Sequence, residues 1–285
     1  MTSLVTIRAG TVGPPVYCFH PLGGSAAVYG PLAALLDTGI PVFGLQSAGL
    51  VSGQEPDRSV PDMASRYARE LDPPPGSIFL GYSFGGIVAF ETLRLLDADA
   101  ATLMLIDTDP LYTPAQNSGP WHILTRQVLD IALPPGELAE LSTTDALERV
   151  RAAAAAEGRL PSRFQLDRLA RMLEVCRANE RAAARHVPAP YRGPTHVFRS
   201  RGLTGGDVWA AFAPNLTVHP VPVDHRDILG PVGYPYLVDG LVSCRRGDGP
   251  VRRDAQRSQH AGGVHARAGP WASVTSFGPV AKRRS

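Results

Sequence analysis

The segment Gly81-Tyr82-Ser83-Phe84-Gly85-Gly86 directly follows the apolar run Ser77-Ile78-Phe79-Leu80 and precedes the helical pattern Ile87 to Leu93. This order predicts a short buried strand, a sharp reversal and a helix, with Ser83 at the apex in a strained backbone conformation and its hydroxyl turned outward. Gly81 and Gly85 fit places where strand and helix pass too close for a Cβ. The chemistry such a serine offers is acyl transfer through a serine ester.

A serine hydroxyl needs a base within hydrogen-bonding reach, and an imidazole base needs a carboxylate to fix its tautomer. On this kind of turn the chain order is serine, acid, histidine. His225, in Val223-Asp224-His225-Arg226-Asp227, follows the apolar run Leu216 to Val221 and is the histidine that suits the order. His260 and His265 lie in the C-terminal tail, His122 and His186 in a helical region, and His196 and His219 inside predicted strands. His20 precedes Ser83 and is expected to hydrogen-bond its own loop. Asp107 ends the run Leu103-Met104-Leu105-Ile106, one crossover after Ser83, with Asp109 a weaker neighbour. Asp207, after the run Thr195 to Arg199, is a rival acid, because related hydrolases take the carboxylate from either strand. Oxyanion donors are expected from the backbone N–H of Phe84, next to the nucleophile, and of Leu22 in His20-Pro21-Leu22-Gly23-Gly24.

These residues need a frame. Apolar runs at Val16 to Phe19, Pro41 to Leu45, Ser77 to Leu80 and Thr102 to Ile106 alternate with amphipathic patterns. One such pattern carries Ala26, Tyr29, Leu32, Ala33 and Leu36, and another runs from Pro61 through Met63, Tyr67 and Leu71. Alternation of this kind predicts an α/β fold with a mostly parallel sheet whose carboxyl edge gathers His20 to Ser25, Ser83 and Asp107. From 113 to 186 no strand is predicted. Helices are expected over Trp121 to Ile131, Thr144 to Ala156 and Leu166 to Ala184, forming an insertion that caps the site. Strands return at Thr195 to Arg199 and Leu216 to Val221, and a helix is expected from about Ile228, broken by Pro231 and Pro235.

With 285 residues, 44% of them hydrophobic, the chain can form one α/β domain of ordinary size. It has no apolar run long enough to span a membrane and no signal-peptide pattern, so no membrane partner is expected. Cys18, Cys176 and Cys244 are odd in number and widely spaced, which fits neither a disulfide framework nor a metal site and suits a cytoplasmic location. Net charge is +2, but residues 244–285 hold eight Arg and one Lys against two Asp, a net of +7 that leaves −5 on the remainder. The expected division is a catalytic domain over 1–243 and a basic, disordered tail over 244–285, with no nucleic-acid partner.

Taken together, Cys18 to Ser25, Tyr29, Gly44 to Leu50, Met63-Ala64, Tyr67, Gly81 to Gly86, Leu105-Ile106-Asp107 and Asp224-His225 resemble the thioesterase domains of nonribosomal peptide and polyketide synthases. The resemblance is dense from Leu4 to Pro110 and returns around His225. It implies an α/β-hydrolase fold with a helical lid. It also implies a substrate held as a thioester on the phosphopantetheine of an acyl or peptidyl carrier protein, and no metal or organic cofactor. It matches Ser83 to the nucleophile, His225 to the base, and Asp107, over Asp207, to the acid of the chain-terminating type. The discrete editing thioesterases take the acid from the later strand and carry a Pro-Gly-Arg-like motif where this chain has Ser47-Ala48-Gly49-Leu50. The other readings are an editing thioesterase, a general esterase or lipase, and a non-catalytic carrier-binding module.

Overall fold

The computed structural model describes residues 2–98, 101–113, 119–134, 136–201 and 208–246. Seven strands, β1 (Leu4–Arg8), β2 (Val16–Phe19), β3 (Val42–Leu45), β4 (Ile78–Tyr82), β5 (Thr102–Ile106), β6 (Thr195–Arg199) and β7 (Leu216–Pro220), form one sheet in the order β1-β3-β2-β4-β5-β6-β7. All neighbours are parallel except β1 and β3. The helices are α1 (Gly30–Leu35), α2 (Val60–Glu70), α3 (Phe84–Leu96), α4 (Pro120–His122), α5 (Thr143–Ala156), α6 (Leu166–Arg185) and α7 (Tyr234–Arg246).

The continuous apolarity of the central strands follows from burial on both faces. Tyr17, Phe19, Phe79, Leu103 and Leu105 pack on one side with α2, α3 and the helical insertion. Their alternates Val16, Cys18, Ile78, Leu80, Met104 and Ile106 pack on the other with α1 and α7. After β2 the chain passes to β3 on one side, then crosses back over β2 to β4. The β2 and β4 exits are therefore adjacent, and their helices leave on opposite faces. This is the switch point at which parallel sheets hold ligands.

Several elements differ from the sequence reading. β1 was not anticipated; it is an edge strand with only Val5 buried, so its apolar alternation is weak. Its last residue, Arg8, donates to the Leu36 carbonyl at 2.9 Å, at the end of α1, and to the Ile40 carbonyl at 2.9 Å, just before β3. The helix expected over Trp121 to Ile131 is instead one α-turn followed by a π-helix, Ile123–Val128, with Leu129 N–H donating to the Leu124 carbonyl at 2.9 Å. There the Thr125 hydroxyl donates to the Trp121 carbonyl at 2.8 Å, competing with the backbone ladder at the point where the helix widens. After His225 the chain makes a single 3-10 turn, His225–Asp227, and the helix begins only at Tyr234. Pro235 therefore opens α7 rather than breaking it, as suits proline in a first turn. α7 extends to Arg246, whose neighbour Arg245 donates to the Pro14 carbonyl at 2.7 Å, so the first three residues assigned to the tail belong to the body. Residues 247–285 lie outside the described residues.

Candidate active site

Ser83 sits between β4 and α3 with φ 53° and ψ −127°, backbone space that costs a non-glycine residue about 1–3 kcal/mol. Its surroundings enforce this. Ser83 N–H donates to the Ile106 carbonyl at 2.9 Å, and the Ser83 carbonyl accepts from Gly86 N–H at 3.0 Å and from the Thr108 hydroxyl at 3.0 Å. Trp209 Nε1–H donates to the Thr108 carbonyl at 2.7 Å and holds that support in place. The glycines mark contacts with no room for a side chain. A Cβ at Gly81 would overlap the Gly85 backbone, one at Gly85 the Phe19 carbonyl, and one at Gly86 the Thr108 hydroxyl.

Asp107 follows β5 with φ 47°, its amide donating to the Phe198 carbonyl at 2.8 Å. Its side chain is fully buried. Oδ1 accepts from Ser200 N–H at 2.8 Å, and Oδ2 accepts from His225 Nδ1–H at 2.6 Å. Burial pushes this carboxyl up, but the hydrogen bonds from His225 and Ser200 outweigh it and hold Asp107 below the usual carboxylate range. With its Nδ1 proton committed to Asp107, His225 keeps Nε2 as the proton acceptor, the tautomer a general base requires. Asp109 does not share this site; it pairs with Arg199 at 3.1 Å. Asp207 lies outside the described residues.

Two tyrosines brace the constellation, and sequence reasoning assigned neither. The Tyr82 ring stacks on the His225 imidazole at 4.9 Å and 26°, and its hydroxyl donates to the His225 carbonyl at 3.0 Å. The Tyr29 hydroxyl donates to the Phe19 carbonyl at 2.6 Å and accepts from Tyr82 N–H at 2.8 Å, tying the β2 and β4 exits together. Nothing local in sequence marks these roles, which arise only once the strands are adjacent.

Phe84 is the first residue of α3, so its amide belongs to the first-turn donors that lack an intrahelical acceptor. Leu22 lies in the loop after β2. The Pro21 carbonyl accepts from Gly24 N–H at 2.9 Å and from His20 Nδ1 at 2.9 Å. Since carbonyl and N–H point opposite ways across a trans peptide, these two bonds also aim the Leu22 N–H. Burial lowers the pKa of His20 to about 4, so its imidazole is neutral, with Nδ1–H donating to Pro21 and Nε2 accepting from the Tyr67 hydroxyl at 2.8 Å. His20 thus bonds its loop, as its place before Ser83 suggested. His196 and His219 pair with each other at 3.0 Å, across β6 and β7. Cys18 and Cys176 are buried, and burial pushes both thiols up. Among the described residues no group of three or more His, Cys, Asp and Glu is placed to hold a metal ion.

Comparison with known proteins identifies the family and the fold. The Thioesterase domain family matches residues 14–230. Vanchrobactin synthetase VabF of Vibrio anguillarum is 29% identical over 241 residues, which cover 80% of this chain and 8% of that protein. A dimodular nonribosomal peptide synthase of Bacillus subtilis (strain 168) is 31% identical over 113 residues, 38% of this chain and 5% of that protein. The chain thus spans a small part of the synthetases it matches. Among solved structures, the four-domain nonribosomal peptide synthetase holo-AB3403 superposes with a TM-score of 0.71 at 23% identity, covering 86% of this chain and 20% of that one. The Vlm2 thioesterase domain superposes with a TM-score of 0.63 at 21% identity, covering 87% and 98%. The architecture is that of the α/β-hydrolase fold, and this chain belongs to the thioesterase domain family.

Proposed function

We propose that this thioesterase accepts an acyl or peptidyl chain from the phosphopantetheine thiol of a carrier protein and releases it in polyketide or nonribosomal peptide biosynthesis. His225 Nε2 takes the Ser83 hydroxyl proton as Oγ attacks the thioester carbonyl. The amides of Phe84 and Leu22 hold the oxyanion. As the C–S bond breaks, the proton on His225 passes to the leaving sulfur and a free thiol departs. Water, or a hydroxyl or amine of the chain itself, then attacks the ester. His225 takes the attacker's proton and returns it to Ser83 Oγ, giving a free acid or a ring. Buried, charged Asp107 stabilises the imidazolium in both halves. No step needs a metal or organic cofactor, and the setting is cytoplasmic.

The observation that carries this reading is the 2.6 Å bond from His225 Nδ1 to Asp107 Oδ2 beside the strained Ser83 turn. An acid after β5 also favours chain release over editing, where the resemblance implies an acid from the later strand. The test is intact-protein mass spectrometry after mixing with an acyl-pantetheine thioester. A covalent acyl adduct or thiol release that disappears in Ser83→Ala and His225→Ala is expected. A folded protein with neither, across several acyl types and on a loaded carrier protein, would refute it. Comparing a full-length chain with a short stalled acyl group on the same carrier separates release from editing.

A further inference from the structure

The loop that carries Leu22 is held from two sides. The peptide joining Pro21 to Leu22 is fixed from within the loop by His20 and Gly24, and His20 is in turn anchored to Tyr67 of α2. The next peptide, joining Leu22 to Gly23, is fixed by the helical insertion. Asn179 of α6, fully buried, donates its Nδ2–H to the Leu22 carbonyl at 2.8 Å, across 157 residues of sequence. Among the described residues its Oδ1 has no hydrogen-bond partner, so this is the one bond its buried amide makes there. The reverse orientation would set two carbonyl oxygens against each other.

The same face of α6 packs on the loop. Val175, one helical turn before Asn179, occupies the place a Cβ on Gly24 would take, and Val128 of the π-helix occupies the place of one on Gly23. Glycine at 23 and 24 therefore lets the insertion close directly onto the loop. Leu22 is gripped through its N-terminal peptide by its own α2-anchored loop and through its C-terminal peptide by the insertion, so both peptides that flank it are held.

We propose that Asn179 is a positioning residue for the oxyanion site, so that the seating of α6 on the β2 loop is a condition for acyl transfer. Seated, the insertion holds Leu22 with its N–H aimed. With α6 withdrawn, the Leu22 carbonyl loses its donor and the amide is aimed from one side only. The capping insertion thereby governs the chemical step as well as access. The inference rests on the proposed serine mechanism with Leu22 as an oxyanion donor.

The test uses Asn179→Asp, nearly isosteric but with no N–H to donate, and Asn179→Ala. Active sites are first counted by fluorophosphonate labelling, and turnover is expressed per labelled site, which removes any effect of misfolded protein. kcat for an acyl-pantetheine thioester is expected to fall about 10-fold or more, bounded by the roughly 10²–10³-fold cost of losing one oxyanion donor outright. Affinity for a trifluoromethyl ketone analogue, whose adduct carries an oxyanion, should fall by the same factor. KM and affinity for the non-hydrolysable acyl-pantetheine amide should stay within about 3-fold, since uniform binding is untouched. Unchanged kcat per labelled site in both variants, or equal losses for ketone and amide, would overturn the proposal. Failure of the underlying mechanism would look different: the wild type would not label, or Ser83→Ala would still turn over.

Discussion

Replacing Asp107 with asparagine tests the catalytic constellation most directly. Asp107 uses both oxygens, Oδ1 for Ser200 N–H at 2.8 Å and Oδ2 for His225 Nδ1 at 2.6 Å. Asparagine has one oxygen to offer. The Ser200 amide is a fixed backbone donor, and facing it with an NH2 would bury two donors head to head, at about 1–3 kcal/mol. The side chain therefore turns its oxygen to Ser200 and its NH2 to His225. Nδ1 must then accept, and the imidazole proton moves to Nε2, the atom that should receive the Ser83 proton. The imidazolium also loses its counter-charge. In a serine-histidine-aspartate site this combination lowers kcat by about 10⁴, or roughly 5.5 kcal/mol of barrier. kcat/KM for an acyl-pantetheine thioester, measured with folding checked by circular dichroism, should fall by that order in Asp107→Asn. Activity within tenfold of wild type would refute the assignment, and a collapse in Asp207→Asn instead would move the acid to the loop after β6.

Three further outcomes follow from the geometry. Ser83→Gly relieves the positive φ that Ser83→Ala retains, so it should be about 1 kcal/mol more stable than Ser83→Ala, a melting difference of roughly 2–4 °C; equal midpoints would mean the turn stores no strain. Tyr82→Phe keeps the stacked ring but loses the bond to the His225 carbonyl, so kcat/KM should fall less than about 10-fold, and Tyr82→Leu, losing both, should fall further. Buried His20 and His219 both have folded pKa values of about 4 against 6.5 unfolded. The unfolded chain therefore binds more protons between those values, so stability is full above about pH 6.5 and is lost as pH falls towards 4. Urea titrations should show this slope, reduced in His219→Gln by up to about 1.4 kcal/mol per pH unit; an unchanged slope would mean His219 titrates normally when folded.

The parts of this molecule legible in sequence are those whose cause is local. β2, β4 and β5 read as apolar runs because both their faces are buried, and Ser83 announced itself because its turn tolerates so few residues on either side. His225 followed from chain order. The choice between Asp107 and Asp207 was not local, since chain position does not say which strand end the His225 loop meets, and family resemblance had to weigh it. β1 escaped notice because an edge strand with one buried residue carries little pattern. The roles of Tyr29, Tyr67, Tyr82 and Asn179 were illegible for a different reason: each is a hydrogen bond between segments 10 to 157 residues apart, and nothing beside either partner marks it.

Gly81, Gly85 and Gly86 each lie where a single added methyl would strike the α3 backbone, a carbonyl or a hydroxyl. They lock the exits of β2, β4 and β5 together with no slack. Variation in such a place is eliminated before it can be tried on a new substrate. The segment between β5 and β6 is less confined: a Cβ added at Gly119, Gly136 or Gly158 would meet nothing within 4 Å. A designer seeking new acyl specificity in this scaffold would therefore randomise the outward positions of that segment, sparing the face of α6 that meets Leu22, and leave the serine turn untouched.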